Sequence, residues 1–519
     1  MSQHDHSHDP RVRHTCCPAA HQSETDGGVS RRLFLGGMGG AALGGLALSG
    51  ISWSMLSAAA PDLPAAPPRR ALVVKPVLVY STYKRAPQTS WRPWGGIQTQ
   101  QDADQEVARI KGELDKLQAT ADFPVRFLPV APVHNVDQVK TAPDFASADV
   151  LVVYAAGGSM GAMAKLGKDV IVFVRHRSGP VYLWYEIISP RYLRQHTDVH
   201  AIPQIDPQDV VVDSQEEILW RLRALGGLRS TLGQKILAIG GPSGWAAPNA
   251  PKLAREKWKF DIQTIEYKEL GELIVAARKD QAAVALARKR ANDYLKLPGT
   301  ILETKKEFVE NAFLLESLFR KLMAKANCRA LTINGCMGTI MPLAETSACL
   351  PLSTLNDDGW MIFCESDFVV IPAGMLLVTI SGRPLFFNDP TYPHDGIITL
   401  AHCTGPRKMD GKNLEPARIM THFESDYGAA PKVEMRKGQI VTNVIPDFKA
   451  EHFVGLTGEI VDHPLLPICR DQIDIRFKCD SLLLAQRMPG FHWMTIYGDY
   501  LREVGYALKK IPIGWESLG

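Results

Sequence analysis

Hydrophobic and polar positions along the chain change period several times, and each change marks a change of element. From Arg70 onward, short β-rich apolar runs alternate with amphipathic stretches. Ala71–Tyr80 predicts a first strand. Gln101–Ala119 predicts a helix, with Val107, Ile110, Leu114 and Leu117 on one face at helical spacing. Asp149–Tyr154 and Asp169–Val174 predict further strands. Ser214 and Glu217 form a capping-box pattern ahead of Ile218, Leu219 and Trp220. A second unit starts near Gly233, where Lys235–Gly240 reads as a strand, residues 280–295 and 304–326 as helices, and Ala330–Asn334 as a strand. Strands alternating with helices imply open, mostly parallel sheets. After about Leu350 the pattern shifts to short β segments, Gly396–Cys403, Gly438–Val444, Ile473–Lys478 and Trp493–Tyr497. Only two helices are expected there, near 367–380 and 499–510.

The fold class expected is therefore α/β: two Rossmann-like α/β domains over 70–232 and 233–349, followed by a β-rich α+β domain over 350–519. Residues 1–68 stand apart as a leader. A length of 519 residues exceeds what one core usually holds and agrees with this division. With 45% apolar and 22% charged residues the composition is that of a globular chain. Basic and acidic residues number 58 and 55, a balance that gives no reason to expect nucleic acid as a partner.

The leader carries its own signals. His4, His6, His8, His14 and His21 with Cys16-Cys17 form a polar tract, read as a solvated, disordered leader, with metal binding as the alternative. Ser30-Arg31-Arg32-Leu33-Phe34-Leu35 then precedes a Gly/Ala/Leu stretch to about Leu56 and an Ala/Pro-rich stretch, Ala58–Pro68. Paired arginines ahead of a weakly apolar segment fit a twin-arginine export signal. Export to the periplasm through the twin-arginine translocase is expected, with a membrane anchor as the alternative if the segment is not cleaved. Of nine cysteines, seven lie between Cys328 and Cys479. They show no zinc-knuckle spacing and are expected to be buried free thiols.

Two glycine-rich turns, Gly157–Gly161 and Gly240–Trp245, match neither a Walker A nor a dinucleotide fingerprint and are expected to be tight strand-to-helix turns. The chemistry concentrates further on. Glu365 is expected at the start of a helix over Asp367–Ile380, and Pro384–Asn388 is expected to be a strand that delivers Asp389. Two carboxylates brought together need a proton or a cation between them. Oxygen donors with an added imidazole favour manganese. His492 opens the strand Trp493–Tyr497, and Asp499 caps the terminal helix.

The stretch Glu365–Asp389, with Ser381-Gly382-Arg383-Pro384 inside it, resembles the C-terminal region of the L-fucose isomerase and L-arabinose isomerase superfamily. So do His492 with Tyr497-Gly498-Asp499, the segment Leu355-Asn356-Asp357-Asp358-Gly359 and the turn His402-Cys403-Thr404-Gly405. The likeness covers roughly 350–405 and 465–515 and is architectural elsewhere. It implies a divalent metal, most often Mn2+, held by Glu365, Asp389 and His492, with Glu365 and Asp389 as acid/base groups. It also implies aldose–ketose isomerisation of a small sugar through an enediol, and assembly as a homo-oligomer, trimer or hexamer. His402, Arg383 and Arg470 are the expected substrate-binding residues. The alternatives are epimerisation or dehydration of a sugar or sugar acid, or sugar binding without catalysis.

Overall fold

In a computed structural model, the described residues are 51–57, 63–157, 162–163, 165–183 and 205–519. The paired arginines and most of the glycine-rich leader, along with most of the Gly157–Gly161 turn, lie outside them.

The first parallel sheet is built on β1 (Leu72–Val79), a near-continuous apolar strand buried on both faces. Its neighbours are β2 (Val125–Phe127), β3 (Ala131–Val133) and β4 (Val150–Ala155), then β5 (Asp169–Val174) and β6 (Val210–Val212), in the order β2-β1-β4-β5-β6 with β3 also pairing with β1. The helix Gln100–Thr120 turns Ile110, Leu114 and Leu117 into the core, while Val107 is only half-buried. The capping box expected at Ser214 does not form. Ser214 precedes the helix Gln215–Thr231 without a side-chain cap, because the Glu217 carboxylate instead accepts from Trp220 Nε1 and Arg221 Nη1, both at 2.7 Å.

The second parallel sheet has the order β11-β10-β7-β8, from β7 (Lys235–Ile239), β8 (Asp261–Ile265), β10 (Ala330–Ile333) and β11 (Met361–Phe363). Its last strand thus comes from residues past 349. β9 (Thr300–Leu302) leaves this unit and joins β14 (Ala417–His422) and β15 (Tyr427–Val433) in a small sheet.

The C-terminal strands close on themselves. β12 (Phe386–Pro390), β13 (Ile397–His402), β16 (Ile440–Pro446), β17 (His452–Asp462), β18 (Asp471–Arg476) and β19 (Trp493–Tyr497) pair antiparallel in the cyclic order β16-β19-β12-β13-β18-β17-β16. A short β20 (Gly514–Ser517) adds to β17. The result is an antiparallel barrel, and closure leaves those six strands without an open edge. Besides the two helices expected here, Cys349–Asp357 and Ser481–Arg487 are also helical.

The helix Ile371–Ser381 joins these parts. Every residue from Ile371 to Ile380 is buried, as expected of a helix that is apolar all round. It packs so closely on Gln215–Thr231 that a Cβ at Gly227 would stand 2.3 Å from Ile380 Cγ1 and 2.9 Å from its Cα. Across this contact Thr231 Oγ1 and Thr379 Oγ1 are 2.7 Å apart, and Thr379 Oγ1 also donates to Gly227 O.

The described end of the leader is anchored as well. Trp53–Ser57 is a short helix with Leu56 buried, and Trp53 Nε1 donates to Asp280 Oδ2 at 2.9 Å. Further along, Pro64 O accepts from Arg320, and Arg69 Nη2 donates to Thr379 O. Among the described residues no helix is long and apolar enough to cross a membrane.

Two stability predictions come from this packing. Gly227→Ala drives a methyl into the Ile380 backbone, which cannot swing aside as a side-chain tip can. It should cost about 1–3 kcal/mol despite alanine's better helix propensity, seen as a lower denaturant midpoint. Asp357 ends its helix with its Oδ1 accepting from Lys408 N–H at 2.6 Å, and burial outweighs that bond and pushes its carboxyl up to about 7. A raised acid binds its proton more tightly in the folded state, so this site's stability is full near pH 4 and is lost as pH rises toward 7. Asp357→Asn keeps the acceptor and removes the charge. It should stabilise the protein by about 1–3 kcal/mol at pH 8 and by almost nothing at pH 4, measured by urea unfolding.

Candidate metal centre

Open parallel sheets present their ligand-binding loops at the carboxyl ends of their strands. Here three such loops meet. β7 runs into Gly240–Trp245, β10 into Asn334–Cys336, and β11 into Cys364–Asp367. Gly240 and Gly241 have φ of 73° and 87°, and a Cβ on Gly240 would stand 2.3 Å from the Tyr267 ring. Glycine is therefore needed at that turn. The Gly240–Trp245 loop braces its neighbour: Ser243 N–H donates to Ser366 O at 3.1 Å, and Phe368 N–H donates to Ser243 O at 3.0 Å.

Glu365 does not start a helix. It and Ser366 both hold left-handed backbone, with φ of 60° and 48°, and the helix begins only at Ile371, next to Pro372. Two successive non-glycine residues in this region cost about 1 kcal/mol each or more, strain that has to be held by surrounding contacts. Ser366 N–H is held by Thr332 Oγ1 at 3.1 Å, and Asp367 Oδ1 accepts from Val369 N–H. This conformation turns the Glu365 side chain toward the barrel.

The barrel supplies the other groups. Asp389 comes from β12, His402 from the end of β13, and His492 from the position just before β19. His492 is fully buried. Its Nε2 lies 3.2 Å from Glu365 Oε2 and 3.2 Å from Asp389 Oδ1. His492 Nε2 and Asp389 Oδ1 face each other as a charge pair, but neither is aligned for a hydrogen bond, although both are buried. Buried polar atoms are rarely left so, and the exceptions call for a physical account. An octahedral ion with bonds of about 2.1–2.2 Å sets adjacent ligand atoms roughly 3.0–3.1 Å apart, close to this spacing. By donor type, two carboxylates and one imidazole suit a divalent ion such as Mn2+, and each carboxylate stands at this spacing from His492.

On the far side of the ring, His492 Nδ1 pairs with Asp367 Oδ2 at 2.7 Å. A carboxylate behind a ligating histidine orients the ring and fixes the tautomer that leaves the other nitrogen free to bind. Burial opposes charge on His492, yet Asp367, Asp389 and Glu365 hold its pKa well above the ordinary histidine value. Burial also opposes charge on Glu365, and His402 and His492 outweigh it, holding that carboxyl below its ordinary range. The centre therefore concentrates negative charge that a cation would balance.

The cluster thus unites Glu365, Asp389 and His492. His402 lies at its edge, with Nε2 3.7 Å from Glu365 Oε1. Arg383 and Arg470 do not join it. Arg383 donates to Tyr497 O at 2.9 Å and lies over the Tyr500 ring. Arg470 donates to Thr421 O at 2.8 Å and lies over Phe423. Both guanidiniums serve backbone carbonyls and aromatic faces rather than the cleft. Sequence reasoning missed Asp367 as the partner of His492, whose only signal was a carboxylate two positions beyond Glu365. It also missed Trp245, whose ring stacks on Phe491 at 4.1 Å and meets His492 edge-on. None of the seven later cysteines forms a disulfide, and five of them are buried. Cys336, Cys349, Cys364, Cys403 and Cys469 line one cleft with Glu365, His402, His422 and Glu424.

Asp367→Asn should weaken divalent-ion binding about 10- to 100-fold, because it alters how the ring is held while leaving the ligands themselves in place. Calorimetric titration of the variant with Mn2+ checks this. Neither a family model nor a curated protein matches the chain.

Proposed function

We propose that the protein is a divalent-metal-dependent aldose–ketose isomerase of the kind found in the L-fucose and L-arabinose isomerase superfamily. The observation that carries this reading is the approach of Glu365 Oε2 and Asp389 Oδ1 to the buried His492 Nε2, each at 3.2 Å. The same reading takes the two parallel-sheet units as Rossmann-like domains beside the barrel. It takes the mature chain as a homo-oligomer, trimer or hexamer, exported through the twin-arginine translocase.

A divalent ion, when bound, polarises the sugar carbonyl and makes the neighbouring C–H and O–H groups more acidic. The chain's own residues supply the rest. Glu365 and Asp389 offer carboxylate oxygens on one side of the cleft, where a proton taken from C2 of an open-chain sugar can be passed to C1 through the enediol. Asp367 keeps the His492 ring from turning. The partly exposed Trp245 ring, stacked on Phe491, offers an apolar face to the C–H side of a sugar. Sugar binding without catalysis would give no role to two orphaned ligand atoms in a buried, charge-dense centre, and epimerisation or dehydration would use the same groups.

The test is proton exchange. With Mn2+ and a panel of aldoses in deuterated water, the full chain should incorporate deuterium at C2 and form the ketose. Glu365→Gln should bind Mn2+ poorly and lose exchange by about 10²- to 10⁴-fold. Tight sugar binding with neither metal nor exchange would sink the proposal in favour of a binding protein.

A further inference from the structure

The Glu365 carboxylate faces two ways. Oε2 approaches His492 and Asp389, whereas Oε1 turns to His402. On that second side the chemistry is different. Cys364 Sγ, a Glu365 oxygen and His402 Nε2 all lie within 4.8 Å of one another. Cys336 Sγ is 3.8 Å from Cys364 Sγ, too far for a disulfide. A tetrahedral zinc ion with Zn–S bonds of about 2.3 Å sets two sulfurs roughly 3.8 Å apart. His402 is buried, and its Nδ1 pairs with Thr404 Oγ1 at 3.1 Å, which leaves Nε2 directed at Glu365. The 3.7 Å between His402 Nε2 and Glu365 Oε1 is a few tenths wider than the roughly 3.3 Å edge of such a tetrahedron.

We propose that Cys364, His402 and Glu365 form the core of a second, thiophilic metal site for zinc, which the neighbouring thiol of Cys336 closes by moving inward, with Glu365 bridging it to the centre at Asp389 and His492. The two sites differ in donor softness. One offers carboxylates and an imidazole, which suit manganese or magnesium; the other offers two thiols with an imidazole and one carboxylate oxygen, which suit zinc. Their separation by chemistry lets the two sides of Glu365 hold two different ions. The thiols come from one architecture: Cys336 and Cys364 follow the parallel strands β10 and β11, while His402, Asp389 and His492 come from the barrel side. The inference rests on the isomerase reading only through the shared ligand Glu365.

Cobalt is the probe, because a thiolate–cobalt bond gives a strong near-ultraviolet absorption that oxygen and nitrogen ligands do not. The full chain, purified under reducing conditions and stripped of metal, is titrated with Co2+ alone. The expected result is two equivalents bound, one with the thiolate absorption, which added Zn2+ abolishes. Cys336→Ser and Cys364→Ser should each cut that absorption to about half and weaken one equivalent by 10-fold or more while sparing the other, and the double variant should remove it. Asp389→Asn should do the reverse. A chain whose thiols titrate as free but which shows no thiolate absorption overturns the second site, even if both serine variants fail to fold. So does a Cys336–Cys364 disulfide in the protein as isolated. Thiolate absorption that persists while Asp389→Asn leaves the stoichiometry unchanged supports the zinc site and overturns only the manganese centre.

Discussion

A fully buried imidazole ring held among three carboxylates is the constraint on which this structure turns. His492 meets Asp367 through Nδ1 and both Glu365 and Asp389 through Nε2. Like charges at this distance in a low-dielectric setting repel strongly, so the arrangement is tolerable only with positive charge at its centre. A proton on the ring meets that need in part, and a divalent ion meets it more fully. The unusual local features around the ring are explained by holding these groups in place. They include the left-handed pair Glu365-Ser366, the backbone bonds from Ser243, and the orphaned atoms at Asp389 and His492.

Rigid support for that constraint comes from two architectures meeting face to face. The parallel sheet β11-β10-β7-β8 aims its loops in one direction, and the closed barrel brings β12, β13 and β19 side by side. In the barrel Phe386 pairs with Thr495 and Asn388 with Trp493, while Asp389 pairs with Ala401 and His402 with Asp471, so Asp389 and His402 are placed by ladder register and His492 stands one residue before it. The buried helix Ile371–Ser381 then ties the Glu365 loop to the first unit through its contact at Gly227. Sites built on strands and packed helices hold geometry more closely than sites built on free loops. The left-handed pair Glu365 and Ser366 lies in the segment that these elements flank.

Much of this was legible in the chain. Period alone located β1, β4, β5, β7, β10 and β19 and the helices at Gln100–Thr120, Gln281–Leu295 and Lys306–Lys325 nearly to the residue. These segments are long or strongly apolar, so local pattern and tertiary burial agree. Other features were not legible. The Ser214–Glu217 box failed because Glu217 found Trp220 and Arg221, competitors that local spacing does not weigh. β14 and β15 were missed because a small sheet with mixed partners has no clean alternation. The helix at Cys349–Asp357 was missed because it is buried almost all round and so carries little amphipathic signal.

The sequence by itself determined the α/β character of the first two units, the β-rich third, and the identities of Glu365, Asp389 and His492 as groups worth bringing together. Those depend on residue type and spacing, which are local. Only the tertiary structure decided that Asp367 stands behind His492, that Arg383 and Arg470 serve backbone carbonyls, and that Cys336 meets Cys364 beside Glu365. The reason is physical. Each of these depends on how a barrel and a parallel sheet are set against each other, and residues that meet across such a junction carry no periodicity that links them along the chain.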